Sequence, residues 1–292
     1  MNNKTQERAF AKLNLTLDIV GKRPDGYHEM LTVMQGVSLC DSVSLSLNDT
    51  GSYTMRTNFG FLPTDDRNIA VKAARIFLAA TEHPEMGCDI IMEKKIPVCA
   101  GMGGGSSDGA AVLRALNRLF DYPLSYDKLL ELAHALGSDV GFCLKGGTQI
   151  GRGRGDELEE LPEMPDCTFV IVKPAFSIKT PMLFQRSDSI KLREHPDTSG
   201  VVAALNEGSL QGICSRLYNS FEAVLPRQYG EIGAIKGLLL DLGAAGSLMT
   251  GSGSAVFGIF TNRETAEKAR NALSAKYAET ALCSPLGILD KI

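Results

Sequence analysis

Pro97-Val98-Cys99-Ala100-Gly101-Met102-Gly103-Gly104-Gly105-Ser106-Ser107-Asp108 puts four glycines into five positions, directly ahead of a segment with helical periodicity. A helix start offers unpaired backbone N–H groups and the positive end of the helix dipole, a setting suited to phosphate. Residues without a Cβ let the chain curl around such an anion at close range. As a plain connector the run would be entropically costly, and Ser106-Ser107 stand where helix caps are expected. The stretch therefore reads as a polyphosphate cradle. It lacks the lysine that a Walker-type loop requires, and Ser106 occupies the place of the third glycine in a dinucleotide fingerprint. Both common nucleotide-binding folds fit poorly.

On the N-terminal side, Ala9, Ala11, Leu13, Leu15, Leu17 and Ile19 alternate with Lys12, Asn14, Thr16 and Asp18. Period two predicts a strand with one apolar face against a core, from whose other face Lys12 and Asn14 project together. Gly21 to Gly26 is a turn, Tyr27-His28 opens the next extended segment, and Val43, Leu45 and Leu47 predict a third strand. Ile69 to Ala80 has helical spacing, and Cys88 to Glu93 reads as the strand that delivers the chain into the glycine loop. A helix is predicted over Ser106–Phe120, and another from a Ser125 cap to a stop at Gly137, which leaves Ser138-Asp139 in a loop. Phe142 to Ile150 reads as strand-like with a bend at Gly146-Gly147.

The acidic, proline-bearing segment Glu157–Pro165 is the best boundary, dividing the chain into residues 1–160 and 161–292. Beyond it come a strand at Thr168–Val172, helical patterns closing at Gly243, a strand at Ala255–Phe260, a helix over Glu264–Lys276 and a terminal strand. Strands and helices mix irregularly, which predicts an α+β fold rather than regular βαβ winding.

With 292 residues, 44% apolar and 22% charged, the composition is that of a soluble globular protein. A net charge of −4 argues against a nucleic-acid partner. No apolar run approaches the roughly 20 residues of a bilayer span, and the polar start Met1–Arg8 has no hydrophobic signal core. The expectation is a cytoplasmic protein without membrane association. Seven scattered cysteines without a Cys-x-x-Cys pair read as reduced thiols in core positions, and four dispersed histidines predict no histidine metal site.

Phosphoryl transfer needs charge neutralisation, an oriented nucleophile and often a carboxylate to take its proton. Lys12 and Asp139 are the candidates: a lysine beside an aspartate favours the ionised carboxylate and stabilises a developing alkoxide. Each read alone is also an ordinary strand lysine or a turn residue. Thr250-Gly251-Ser252-Gly253-Ser254 is either a second approach to the same phosphates or a hairpin turn. Gly151 to Gly155 reads as a glycine-rich bend. Tyr27 and His28 could stack on and hydrogen-bond a base, or be structural.

Taken together, Ala11-Lys12-Leu13-Asn14-Leu15, Pro97 to Asp108 and Met249 to Val256 resemble, in order, the three motifs of the galactokinase, homoserine kinase, mevalonate kinase and phosphomevalonate kinase (GHMP) superfamily. Arg23-Pro24-Asp25-Gly26-Tyr27-His28, Leu136-Gly137-Ser138-Asp139-Val140 and Ser177-Ile178-Lys179-Thr180-Pro181 are most similar to its 4-diphosphocytidyl-2-C-methyl-D-erythritol kinase branch, and the likeness runs from Ala9 to the end of the chain. The resemblance implies an N-terminal unit like domain 2 of ribosomal protein S5 and a ferredoxin-like C-terminal unit with the cleft between them. It implies ATP-dependent phosphorylation of the erythritol 2-hydroxyl, in the non-mevalonate route to isoprenoid precursors. Asp139 would be the general base and Lys12 would polarise the hydroxyl. His28 would pair with cytosine and Tyr27 stack on it, while Asn14, Lys94 and Thr180 hold the rest of the substrate. Pro97, Gly101 to Ser107, Asn68 and Ile69 would bind ATP. Mg²⁺ is expected as cofactor, with Ser107 as a possible ligand, and the chain as monomer or homodimer. A homoserine or mevalonate-type kinase, and a ligand sensor on the same scaffold, are the competing readings.

Overall fold

The computed structural model describes residues 3–190 and 192–289; Met1 and Asn2 of the polar start lie outside them. The elements run β1 (Lys4–Lys22), β2 (His28–Asn48), β3 (Tyr53–Thr57), α1 (Ile69–Ala80), β4 (Gly87–Glu93), α2 (Gly104–Leu119), α3 (Tyr126–Leu136), α4 (Ser138–Lys145), β5 (Thr148–Arg152), β6 (Glu157–Glu160), β7 (Thr168–Lys173), α5 (Thr180–Ser189), α6 (Thr198–Asn206), α7 (Leu210–Cys214), β8 (Tyr218–Asn219), α8 (Ser220–Ala223), α9 (Glu231–Asp241), β9 (Gly246–Met249), β10 (Val256–Phe260), α10 (Arg263–Ser274) and β11 (Glu279–Cys283).

β1 and β2 form a long antiparallel pair at the centre of a seven-stranded sheet ordered β3-β4-β2-β1-β8, with β5 and β6 branching from β2. The second sheet is four-stranded, ordered β11-β7-β10-β9, with α9 and α10 packed on it. Its β-α-β-β-α-β chain order is the split βαβ arrangement expected of the second unit. The units interlock: β8, from beyond residue 160, pairs with β1 in the first sheet, and the tail returns through Val37–Pro285 and Gly146–Ile288 bridges.

Four expectations are corrected. The two strands read between Tyr27 and Leu47 are one, β2, which pairs with β1 along both its halves across a register shift and with β4 over Ser42–Asn48. The strand-like reading of Phe142–Ile150 fails at its start: residues through Lys145 complete α4, and only Thr148–Arg152 is strand. A short apolar run cannot separate buried helix from buried strand by pattern. The single apolar face of β1 is in fact split. Register shifts between Phe10 and Lys12 and between Asn14 and Thr16 each move the following residues to the opposite face. Ala9 therefore joins the core beneath α1 and α2, whereas Ala11, Leu13 and Leu15 pack with Phe169, Phe257 and Ile259 of the second sheet. Finally, Cys99 is exposed rather than a core thiol; Cys88, Cys143, Cys214 and Cys283 are buried and Cys40 and Cys167 half-buried.

Candidate active site

Three segments meet at the N-terminus of α2. The Lys12 amide donates to the Met102 carbonyl (3.1 Å), the Ala255 amide to the Ala100 carbonyl (3.1 Å), and the Asn14 amide to Thr250 Oγ1 (3.1 Å). Gly101 (φ +77°) lies so close beneath the Thr250 carbonyl that a Cβ would collide with it. Gly103 (φ +68°) is the true N-cap of α2, and a Cβ there would sit 3.1 Å from Cγ of Lys12. Ser106 and Ser107 are accordingly inside the first turns, not caps: the left-handed glycine ends the loop earlier than serine capping would. Ser107 is buried with its hydroxyl donating to the Phe10 carbonyl.

Lys12 is almost fully buried, although its strand position suggested an open face, because α2, α4 and the glycine loop cover that side of β1. Its ammonium donates to Asn14 Oδ1 (2.8 Å) and lies 3.5 Å from Asp139 Oδ2. Asp139 is not in a loop. Gly137 ends α3 and caps α4 in one step, which places Asp139 in the first turn of α4, where a carboxylate suits the helix dipole. The two side chains, 127 positions apart in the chain, thus face each other beside Gly103. The Lys12 side chain is 5% exposed and that of Asp139 37%, so the carboxylate stays reachable from solvent.

Beside this pair opens a cavity of about 370 Å³ lined by Pro97, Gly101 to Ser106, Asn68 and Ile69, with Leu62 and Pro63. Of the residues expected at ATP, Ser107 alone is turned away. Asn68 is fixed by capping α1 through the Ala70 amide and by donating to the Pro63 carbonyl (2.8 Å). Lys94 lines this cavity and is buried between Asp41 and Asp108, donating to both. Asp41 further accepts from the Lys95 and Ile96 amides at 2.5 and 2.8 Å. Burial pushes the Asp108 carboxyl up to about 7 against the pull of Lys94, and its Oδ1 has no partner among the described residues.

A third cluster holds Tyr27 and His28. Tyr27 is exposed with the Arg154 guanidinium 4.7 Å above its ring. His28 stacks on Phe184 of α5 (4.5 Å) and its Nε2 is 2.7 Å from Asp188 Oδ1. Hydrogen bonds from Lys22 and then His28 hold the Asp188 carboxyl below the usual carboxylate range. Thr180, at the start of α5, shares a 2.6 Å hydroxyl contact with Ser252 of the second glycine-serine loop, which is therefore no isolated hairpin turn. Thr32, Asp41, Phe184 and Asp188 were missed from sequence, since no spacing marks them.

A sequence model of the GHMP kinase N-terminal domain matches residues 68–147, and one of the C-terminal domain residues 201–279. A 4-diphosphocytidyl-2-C-methyl-D-erythritol kinase of Syntrophomonas wolfei is 42% identical over 95% of this chain and 96% of its own. A solved 4-(cytidine 5'-diphospho)-2C-methyl-D-erythritol kinase is 32% identical, with a TM-score of 0.82 over 97% of this chain and 100% of that one. The homoserine kinase of Cytophaga hutchinsonii, 21% identical with a TM-score of 0.73 over 99% of this chain and 96% of that one, shares the fold. The chain thus has the two-domain GHMP fold and belongs to the 4-diphosphocytidyl-2-C-methyl-D-erythritol kinase family of small-molecule kinases.

Proposed function

We propose that the protein transfers the γ-phosphoryl group of ATP to the 2-hydroxyl of 4-diphosphocytidyl-2-C-methyl-D-erythritol. The carrying observation is the Lys12–Asp139 pair, 3.5 Å apart against the glycine turn at the edge of the cavity lined by the glycine loop. ATP occupies that cavity, its phosphates on the loop amides and the N-terminus of α2, its base toward Asn68, Ile69 and Pro63. The acceptor alcohol lies at Asp139, which takes the hydroxyl proton as the new O–P bond forms and the bond to the leaving ADP breaks. Lys12 stabilises the charge gathering on the attacking oxygen and is itself aimed by Asn14. Tyr27 stacks on cytosine while His28 hydrogen-bonds it, and Thr180 with Ser252 holds the diphosphate. Lys94 belongs on the nucleotide side instead of the substrate side.

Magnesium, when bound, neutralises the phosphate oxygens. Among the described residues no three His, Cys, Asp or Glu side chains gather to hold a metal, which fits an ion carried chiefly by phosphates, with Ser106 as the nearby hydroxyl rather than Ser107. The units 1–160 and 161–292 flank the cleft in this reading. No described helix is long and apolar enough to cross a membrane; a cytoplasmic monomer or homodimer without nucleic-acid partners accords with the composition.

The test is ADP release by the purified chain with ATP and each candidate alcohol, with the product examined by ³¹P NMR. A 2-phosphate ester from the cytidine compound alone is expected. Turnover of homoserine or mevalonate in its place would overturn the assignment, and retained biological effect in a turnover-dead D139A would favour the sensor reading.

A further inference from the structure

The orientation of the Asn14 amide decides whether Lys12 meets an oxygen or a hydrogen-bearing nitrogen, and a side chain outside the reacting centre decides that orientation. Thr32 Oγ1 lies 2.6 Å from the Thr16 carbonyl and 2.8 Å from the Asn14 amide group, all of it buried. A hydroxyl has one proton to give, and a backbone carbonyl can only accept. The Thr32 proton is therefore committed to the Thr16 carbonyl, and toward Asn14 its oxygen acts as acceptor. The amide must then present Nδ2 to Thr32, which turns Oδ1 toward the Lys12 ammonium 2.8 Å away. The opposite amide assignment would set two donors against each other at Lys12 and two acceptors against each other at Thr32. The chain of donors thus runs Lys12, Asn14, Thr32, Thr16 carbonyl, and the Thr250 hydroxyl, 3.4 Å from Asn14 Oδ1, faces the same oxygen.

The backbone explains how Thr32 comes to stand there. The register shift between Asn14 and Thr16 pairs Leu17 with Thr32 and brings the Asn14 and Thr32 side chains together across the strands. The Val33 amide donates to Thr16 Oγ1 (3.1 Å), which ties the same stretch of β2 to β1. On its other side Asn14 is held through its amide by Thr250. Buried networks that are fully satisfied in one pattern specify a unique geometry.

We propose that Thr32 is a positioning residue for phosphoryl transfer: through Asn14 it fixes the direction in which the Lys12 ammonium points. This rests on the catalytic role given to Lys12 above. Thr32 is buried, bonded to Asn14 and the Thr16 carbonyl, and does not line the cavity, so its removal should act on turnover and leave substrate affinity in place.

The test is steady-state kinetics of T32V, T32S, N14A and the N14A/T32V double variant, with K12A and D139A alongside. T32V keeps the side-chain shape but loses donor and acceptor, and kcat is expected to fall about 10- to 100-fold, with KM for ATP and for the alcohol within about twofold. T32S should recover most of that loss. Because Thr32 acts through Asn14, adding T32V to N14A should cost little more, whereas independent roles would multiply. Wild-type kcat in T32V, a loss confined to KM, or fully multiplicative effects with N14A would each overturn the proposal. If T32V lacks a cooperative thermal transition, T32A, which likewise removes both donor and acceptor, carries the same comparison. Should K12A and D139A both turn over normally, the kinase assignment of these residues falls and this inference with it. If they are inactive and T32V is not impaired, only the role of Thr32 falls.

Discussion

Two lysine–carboxylate clusters flank the glycine loop, built from the same groups to opposite ends. Lys12 lies against Gly103 and meets one carboxylate, Asp139, which keeps 37% of its side chain exposed. Lys94 lies against Gly104 and is closed in by Asp41 and Asp108, whose side chains are 0% and 5% exposed. In the first, the cation is buried and oriented while the carboxylate stays open to solvent, as the proposed proton transfer from an alcohol requires. In the second, all three side chains are nearly fully buried, and the cluster staples β2, the end of β4 and α2 together beneath the loop while Lys94 and Asp108 still line the cavity. Solvent access to the carboxylate, not the identity of the pair, separates the two clusters.

The difference has measurable consequences. D139A should lower kcat by about 10²- to 10⁴-fold while leaving the thermal transition close to that of the parent chain, as expected for removal of a positioned base; a loss of folding with intact specific activity would reverse the assignment of the two clusters. K94M should do the converse, costing about 3–5 kcal/mol in denaturant unfolding because two carboxylates are left buried without their cation. Y27A should raise KM for the cytidine substrate roughly fivefold to tenfold with kcat retained, the scale of one lost aromatic stack, as read from initial rates.

The smallest effect concerns pH. The Asp108 carboxyl is raised from 3.8 to about 7 in the fold, chiefly by burial. Between those values the folded chain holds a proton that the unfolded chain has released, so stability falls as pH rises through that window. Denaturant midpoints at pH 5 and pH 8 should show this decline, and D108N should flatten it. A stability that climbs over the same interval would place the ionised form in the fold.

Much of this was legible along the chain. The alternation of β1, the Ser125 cap and Gly137 stop of α3, and the glycine run before α2 are local signals carried by residues within a turn or two of one another. Lys12 and Asp139 were legible as candidates, but each alone also read as a strand lysine or a turn residue, and it was the family resemblance that weighed between those readings. Lys94 shows what that route leaves out: the resemblance implied a substrate contact, and its two carboxylate partners, 53 and 14 positions away, are marked by no spacing in the chain. The register shifts in β1 were likewise invisible, since an unbroken alternating pattern looks the same with or without a bulge.

The amino-acid order alone determined the glycine turn ahead of α2, the α+β class and local boundaries such as the Ser125 cap and Gly137 stop of α3, because backbone freedom, caps and hydrophobic period act over a few residues. Which charges are buried, which face of β1 each side chain takes, and which way the Asn14 amide points were decided by tertiary packing. Desolvation and hydrogen-bond complementarity are properties of surroundings assembled from distant segments, and those surroundings exist only once the two sheets have closed on each other.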